Sequence, residues 1–348
     1  MPEAVVLAPA APVTEERPAP RSLGPTRAPV RPAAILSVAT ELPEGVLSNA
    51  ELAVGLGVTE EWILSRTGIR ERRRAGPGER LSDYATRAGA KALAAAGVPA
   101  VDIDLVIVAT VSADELTPNA APIVAHNLGA VRAGAYDVGA ACTAFLTALA
   151  QGAAQIESHR AEHVLVIGAD FITRIVDYQD KRSAPLFADA AGAVVLGAGD
   201  PQRGSIGPVV LGADGSQAGT LFVSVTERKI RMDGPEVFRH AVRRMSEVTR
   251  EAVLRAGLTL DEIDLFVYHQ ANARITRALG ERLGLDPGRV VECIETIGNA
   301  SAAMLPVGLA TALADGRLRP GSLVLLSAFG AGFVWGGAVI QWGGAAGG

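Results

Sequence analysis

Apolar residues in this chain gather in strand-length runs that Gly, Asp or Pro interrupts, and amphipathic, alanine-rich stretches separate the runs. Lys91 to Thr110 (KALAAAGVPAVDIDLVIVAT) reads as a helix, a glycine stop, a short acidic loop and a buried strand. Glu251 to Gln270 (EAVLRAGLTLDEIDLFVYHQ) reads the same way at a constant offset of 160 residues. The two copies share Ala92/Ala252, Ala96/Ala256, Gly97/Gly257, Ile103/Ile263, Asp104/Asp264 and Leu105/Leu265. Each copy is followed by a predicted strand, a Gly/Ala-rich elbow and a helix. Further on, the run Val164–Ala169 parallels Leu323–Ala328. This repetition predicts two similar α/β halves, residues 33–205 and 206–348, packed about a pseudo-twofold axis.

Three polar groups stand where these runs end. In Asp137-Val138-Gly139-Ala140-Ala141-Cys142-Thr143-Ala144-Phe145 a strand passes through small residues into a helix, with Cys142 at the helix start. The helix dipole and unpaired N–H groups there predict a thiol that titrates below the free-cysteine pKa of about 8.5. The run Asp264-Leu265-Phe266-Val267-Tyr268 delivers His269 at a strand's C-terminal end, where open α/β sheets place ligand-contacting residues. Asn299, in Gly298-Asn299-Ala300-Ser301-Ala302-Ala303, begins the second elbow. Taken singly, a buried inert cysteine, a satisfied core histidine and a helix N-cap remain open for these three residues. The repeat supplies a geometric reason to bring them to one face.

Composition narrows the class without choosing the function. A chain of 348 residues with 49% apolar content can bury one large core or two fused halves. Its net charge of −5 gives no case for nucleic-acid binding, and no apolar run has the length of a membrane span. The two cysteines, Cys142 and Cys293, suggest a reducing compartment, with Cys293 in an expected strand Val290–Ile294 and structural in role. Residues 1–32 are Ala/Pro-rich without hydrophobic period and read as a flexible tail. They lack the pattern of a signal peptide, which makes a cytoplasmic location the default. The segments Arg74–Gly78 and Gly212–Ser216 read as surface turns, and no Gly-x-Gly-x-x-Gly segment opens a helix after the first strand.

Cys142 in Ala-Ala-Cys, His269 in His-Gln-Ala-Asn and Asn299 in Gly-Asn-Ala-Ser-Ala-Ala together resemble the Cys-His-Asn triad of the β-ketoacyl-acyl-carrier-protein synthase III family, condensing enzymes of the thiolase superfamily. The segments Glu61–Ile69, Glu236-Val237-Phe238 and Ala328–Gly336 match as well, so the resemblance runs from about Ala33 to Trp342. It implies a five-layer αβαβα thiolase-type fold and a homodimer. The implied reaction is decarboxylative Claisen condensation of an acyl-coenzyme A with a malonyl carrier-protein thioester, without metal or redox cofactor. Cys142 would hold the acyl group, His269 and Asn299 would stabilise the enolate, and the N–H groups of Cys142 and Ala331 would form the oxyanion hole.

Further positions carry over from the same resemblance. Trp62 and Arg66 would hold the adenine and phosphate end of coenzyme A, with Lys181 where an arginine is common and Phe238 in the matched binding segment. Phe329 would pack beside the nucleophile, and Asn272 would act as an orienting amide. Arg239, Arg243, Arg244 and Arg274, on two predicted helices, would receive an acidic carrier protein. Thr117 stands where a bulky residue of the partner subunit closes the pocket in strictly acetyl-using members, so its small side chain implies room for longer or branched primers. Pro235, the alanines of Phe187-Ala188-Asp189-Ala190, and Thr143-Ala144 also depart from the usual pattern. Two other functions compete: acyl transfer to an oxygen, nitrogen or sulfur nucleophile in specialised metabolism, and a non-catalytic partner subunit. The intact Cys142, His269 and Asn299 argue against the second.

Overall fold

The computed structural model describes residues 30–200 and 204–344. Most of the expected tail, residues 1–29, lies outside them, while Arg31 donates to the carbonyl oxygens of Ile156 and Ala161 and pairs with Glu162.

The first half runs β1 (Ala33–Glu41), β2 (Val46–Ser48), α1 (Asn49–Leu56), α2 (Glu60–Thr67), β3 (Glu71–Arg73), α3 (Leu81–Ala96), β4 (Leu105–Ala109), α4 (Ala120–Leu128), β5 (Gly134–Val138), α5 (Ala144–Glu157), β6 (Val164–Phe171) and β7 (Asp189–Ala198). The second half runs β8 (Ser205–Ile206), β9 (Val210–Ala213), β10 (Leu221–Val223), β11 (Ile230–Met232), α6 (Gly234–Arg255), β12 (Leu265–Tyr268), α7 (Ala273–Leu283), α8 (Ile294–Ile297), α9 (Met304–Ala314), β13 (Leu323–Gly330) and β14 (Val334–Gln341).

The first sheet has the order β1-β7-β6-β4-β5, and the second has the order β12-β13-β14-β8 with β9 also on β14. In both, a strand of the sequence repeat pairs parallel with a later strand, β4 with β6 and β12 with β13, and that later strand pairs antiparallel with the one after it. Alternation along β4 explains the layering. Ile107 and Ala109 face α5 and α9 in the central core, whereas Val106 and Val108 face α3 and α4 outside. Across the second sheet, Leu265 and Val267 face inward, while Phe266 and Tyr268 pack under α6 and α7. The layers are therefore α3/α4, first sheet, α5/α9, second sheet and α6/α7. With both faces of the central strands covered, their sequences are continuous apolar runs.

The shared residues of the repeat do equivalent work. Gly97 and Gly257 terminate α3 and α6 at φ of 66° and 74°, where a side chain would be strained. Asp104 Oδ2 accepts from Glu162 N at 2.7 Å, and Asp264 Oδ2 accepts from Leu323 N at 2.8 Å, tying each loop to the strand that follows.

Two local expectations are corrected. No strand forms over Val290–Ile294, where only a parallel bridge of Val290 to Phe266 remains and Cys293 caps α8. The Gln270 amide replaces the ladder there: Oε1 accepts from Cys293 N and Ile294 N at 2.9 and 3.0 Å, and Nε2 donates to Val291 O at 3.0 Å. The strand expected before the Asn299 elbow is therefore absent. Within Gly212–Ser216, Gly212 and Ala213 belong to β9 on β14, because the hairpin carrying β14 offers an open edge, and the turn begins only at Asp214.

Candidate active site

Both elbows use the same backbone device. Ala141 and Ser301, 160 residues apart, are non-glycine residues at φ of 46° and 51°, and each opens a 3-10 turn that leads into a central helix, α5 or α9. A left-handed conformation at a side-chain-bearing residue costs on the order of 1 kcal/mol or more and persists where the surroundings impose it. Here the elbows meet at the centre of the molecule. Their junction presents Cys142, His269 and Asn299 to one cavity of about 550 Å³.

Each polar group owes its aim to its element. His269 N donates to Ser327 O at 2.7 Å, extending the β12/β13 ladder by one residue so that the imidazole emerges just beyond the strand. His269 is 2% exposed, and neither ring nitrogen has a hydrogen-bond partner among the described residues. Burial pushes His269 down to about 4, opposed by the Ser301 backbone, so it is neutral at pH 7. Asn299 is clamped through its main chain, its N–H to Leu186 O and its carbonyl to Ala188 N, both at 2.9 Å. Its side-chain Oδ1 accepts from Ser301 N at 2.9 Å, which leaves Nδ2 as a donor with no acceptor among the described residues.

Cys142 differs from the sequence expectation. Burial pushes its thiol up to about 11, with the Asp170 carboxylate adding to the rise and a hydrogen bond from Ser301 opposing it. Cys142 is half-buried and lines the cavity, and desolvation of its thiolate outweighs the helix terminus. Its own N–H has no acceptor in another of the described residues, and β13 ends against it at Gly330. A Cβ on Gly330 would lie 2.7 Å from Cys142 N.

Toward the mouth, the Arg66 guanidinium sits 4.5 Å from the Trp62 ring centroid, and both residues line the cavity with Lys181 and Arg182. Asn272 Nδ2 donates to Arg66 O at 3.0 Å while its Oδ1 accepts from Arg274 N at 2.9 Å, so one amide joins α2 to the start of α7. Phe238 and Phe329 line the cavity; Phe329 packs on Phe333 at 4.7 Å, and Arg274 lies over Phe238 at 5.7 Å. The wall is braced by the fully buried Arg72, which donates to Pro185 O at 2.7 Å and Asn49 Oδ1 at 2.8 Å.

Other expected residues are not brought to this cavity. Thr117 is exposed in a surface groove with Leu116, Asn119 and Arg228, and Ala331 lies in the β13–β14 turn, one residue beyond the cavity wall. Of the four arginines, Arg239 is paired with Glu236; Arg244 is paired with Glu247 and Asp214 and stacked 4.4 Å from Trp335. Arg274 is the exception that does line the cavity, and neither it nor Arg243 makes an ion pair among the described residues. Sequence reasoning missed Asp170 and gave Ser301 no role. The signals were present: Asp170 directly follows the run matched to Leu323–Ala328, and Ser301 is the repeat partner of Ala141.

An elbow cysteine facing a neutral histidine and a donor amide across a duplicated α/β core defines a thiolase-like condensing enzyme. Residues 136–215 match the family model for 3-oxoacyl-[acyl-carrier-protein] synthase III, and residues 253–342 match the model for its C-terminal part. The chain is 43% identical over 319 residues to beta-ketoacyl-[acyl-carrier-protein] synthase III of Rhizorhabdus wittichii, covering 90% of this chain and 100% of the relative. It is similar in structure to the Thermus thermophilus enzyme of that name, with TM-score 0.86, 41% identity and coverage of 90% of this chain and 100% of the other. A priming β-ketosynthase of a polyketide biosynthetic pathway superposes with TM-score 0.87 at 38% identity, covering 91% of this chain and 98% of the other. The chain belongs to the β-ketoacyl-[acyl-carrier-protein] synthase III family.

Among the described residues no helix is long and apolar enough to cross a membrane.

Proposed function

We propose that this enzyme condenses an acyl-coenzyme A primer with a malonyl thioester on a carrier protein through an acyl-Cys142 intermediate. The observation that carries this reading is the convergence of Cys142, neutral His269 and the free Asn299 amide on one cavity. Cys142 sulfur attacks the thioester carbonyl and coenzyme A leaves with the thiol proton. The oxyanion forms beside the open N–H of Cys142, with Ala331 in the adjoining turn as second donor. In the second half-reaction malonyl loses CO2, and the enolate oxygen accepts from His269 and Asn299. The carbanion attacks the acyl-Cys142 carbonyl, giving 3-oxoacyl carrier protein and restoring the cysteine.

Trp62, Arg66 and Lys181 at the mouth suit the adenine and phosphates of coenzyme A, and Asn272 and Phe238 suit its arm. Arg243 and Arg274 offer unpaired charge to an acidic carrier protein, with Arg239 at the edge and Arg244 already neutralised. The loop that exposes Leu116 at 89% fits a homodimer interface, in which Thr117 would reach the partner's pocket. Coenzyme A and carrier-protein thioesters as substrates place the enzyme in the cytoplasm.

Intact-protein mass spectrometry tests the reading. The expected result is a primer-specific mass on Cys142 that malonyl carrier protein discharges as a 3-oxoacyl thioester. An adduct that malonyl cannot discharge, or CO2-free formation of an ester or amide, would overturn it.

A further inference from the structure

One residue touches every member of the site without having been assigned a part in it. Ser301 N–H donates to Asn299 Oδ1 at 2.9 Å, its backbone adjoins His269, and its Oγ lies 3.5 Å from Cys142 Sγ. The same hydroxyl is near Asp170, a fully buried carboxylate at the end of β6, and helps to hold its proton affinity down. Asp170 is itself held from both halves: Oδ1 accepts from Thr110 Oγ1 at 3.0 Å, Val111 N at 2.9 Å and Ser112 Oγ at 2.7 Å, and Oδ2 accepts from Ala302 N at 3.1 Å. The hydroxyl has one proton and two neighbours able to accept a hydrogen bond from it.

We propose that Ser301 is a further catalytic residue, whose hydroxyl, set between the Cys142 sulfur and the Asp170 carboxylate, tightens its hydrogen bond to the sulfur as thiolate charge develops and so sets how readily Cys142 takes an acyl group. No proton changes hands in this step. The left-handed backbone of Ser301 divides the residue's work: its side chain serves the nucleophile, and its N–H holds Asn299 for decarboxylation. The inference rests on the assignment of Cys142 as nucleophile. Asp170 raises the cost of the thiolate, and a donor to sulfur lowers it. The other groups that face the sulfur are His269 at the end of β12 and, at the mouth, Arg66, Lys181, Arg182 and Arg274. α9 and β13 carry no charge, and α5 has only Glu157 at its far end.

The test is the pH profile of Cys142 alkylation by iodoacetamide in full-length wild type and S301A, located by peptide mass, beside CO2 release from malonyl carrier protein. S301A is expected to move the alkylation midpoint up by about one pH unit and to slow alkylation below it roughly 10-fold. CO2 release should stay within about twofold, since the N–H to Asn299 is kept. S301G, in which glycine accepts the left-handed turn freely, should show the same shift and serves where S301A does not melt cooperatively. An unchanged alkylation profile, or CO2 release that falls in step with alkylation, would overturn the proposal. A wild-type Cys142 that is alkylated yet never acylated by acyl-coenzyme A would instead break the condensation reading, and the alkylation profile would still judge Ser301.

Discussion

The two elbows share a backbone and differ in what closes them. At the second, Ala302 N–H is filled by Asp170 from the end of β6. At the first, the repeat-equivalent Cys142 N–H faces Gly330 at the end of β13, where no side chain can reach it. Duplication thus produced two turns with an N–H aimed into the junction of the halves. One is satisfied by a carboxylate and bonds the halves together, and the other is left open beside a nucleophile. The condensation proposed above would use the donor that folding did not consume.

Breaking the open elbow should produce the largest effect. Gly330→Ala places a methyl 2.7 Å from Cys142 N and 3.3 Å from its Cβ. Acyl transfer to Cys142 should fall about 100- to 1,000-fold, the loss typical of an oxyanion donor, together with a loss of stability, because the methyl meets backbone that must shift to admit it. Burst acylation measured by mass spectrometry checks this, and a near-normal burst would mean that the N–H is not where the oxyanion forms. His269→Ala and Asn299→Ala should lose malonyl decarboxylation by a similar factor while acylation falls less than about tenfold. Equal loss in both half-reactions would erase the division of labour between the elbows.

Breaking the closed elbow should cost stability. Asp170→Ala strips acceptors from Thr110, Val111, Ser112 and Ala302 at once, and a drop of about 3 kcal/mol or more in unfolding free energy is expected. Denaturant titration measures it; a drop below about 1 kcal/mol would mean that the halves are held by apolar packing alone. His269 adds a pH signature of comparable size. Its folded pKa of about 4 lies below the ordinary histidine value of 6.5, so the unfolded chain binds the proton more readily between those values. Stability is therefore complete above about pH 6.5 and is lost as pH falls toward 4, by about 3 kcal/mol. His269→Ala should flatten that slope, and an unchanged slope would show the imidazole hydrated in the folded state.

How legible this was in the sequence follows the same division. Gly97/Gly257 and Asp104/Asp264 were readable because a glycine cap and a carboxylate that ties a loop to a strand are local devices with fixed residue types. Cys142, His269 and Asn299 were readable as ends of apolar runs, and their convergence followed from the repeat. The direction of the Cys142 titration was not legible, because burial of the sulfur and its neighbours Asp170 and Ser301 come from segments distant in sequence, whereas the helix start visible in sequence argues the opposite way. The missing strand before Asn299 was hidden because Val290–Ile294 is apolar enough for a strand. The Gln270 side chain, from another segment, consumes the N–H groups that a ladder would have used. Asp170 escaped notice because its partners are contributed by both halves.

The smallest expected effect concerns the loops after the two repeat strands. After β12 the chain turns inward at once, and His269 and Asn272 line the cavity. After β4 the equivalent loop runs outward through Thr110 to Asn119 and exposes Thr117 on the surface. If that loop closes a neighbouring pocket, Thr117→Phe should lower kcat/KM for long or branched primers relative to acetyl by about tenfold, since an added ring excludes carbons by volume. A mixed dimer of Thr117→Phe with Cys142→Ala separates the arrangements. Its one intact Cys142 belongs to the Thr117→Phe protomer and is covered by the other protomer's native Thr117, so the wild-type primer preference should return. A preference that stays narrowed would place Thr117 in its own chain's pocket, and a uniform loss for all primers would remove it from either.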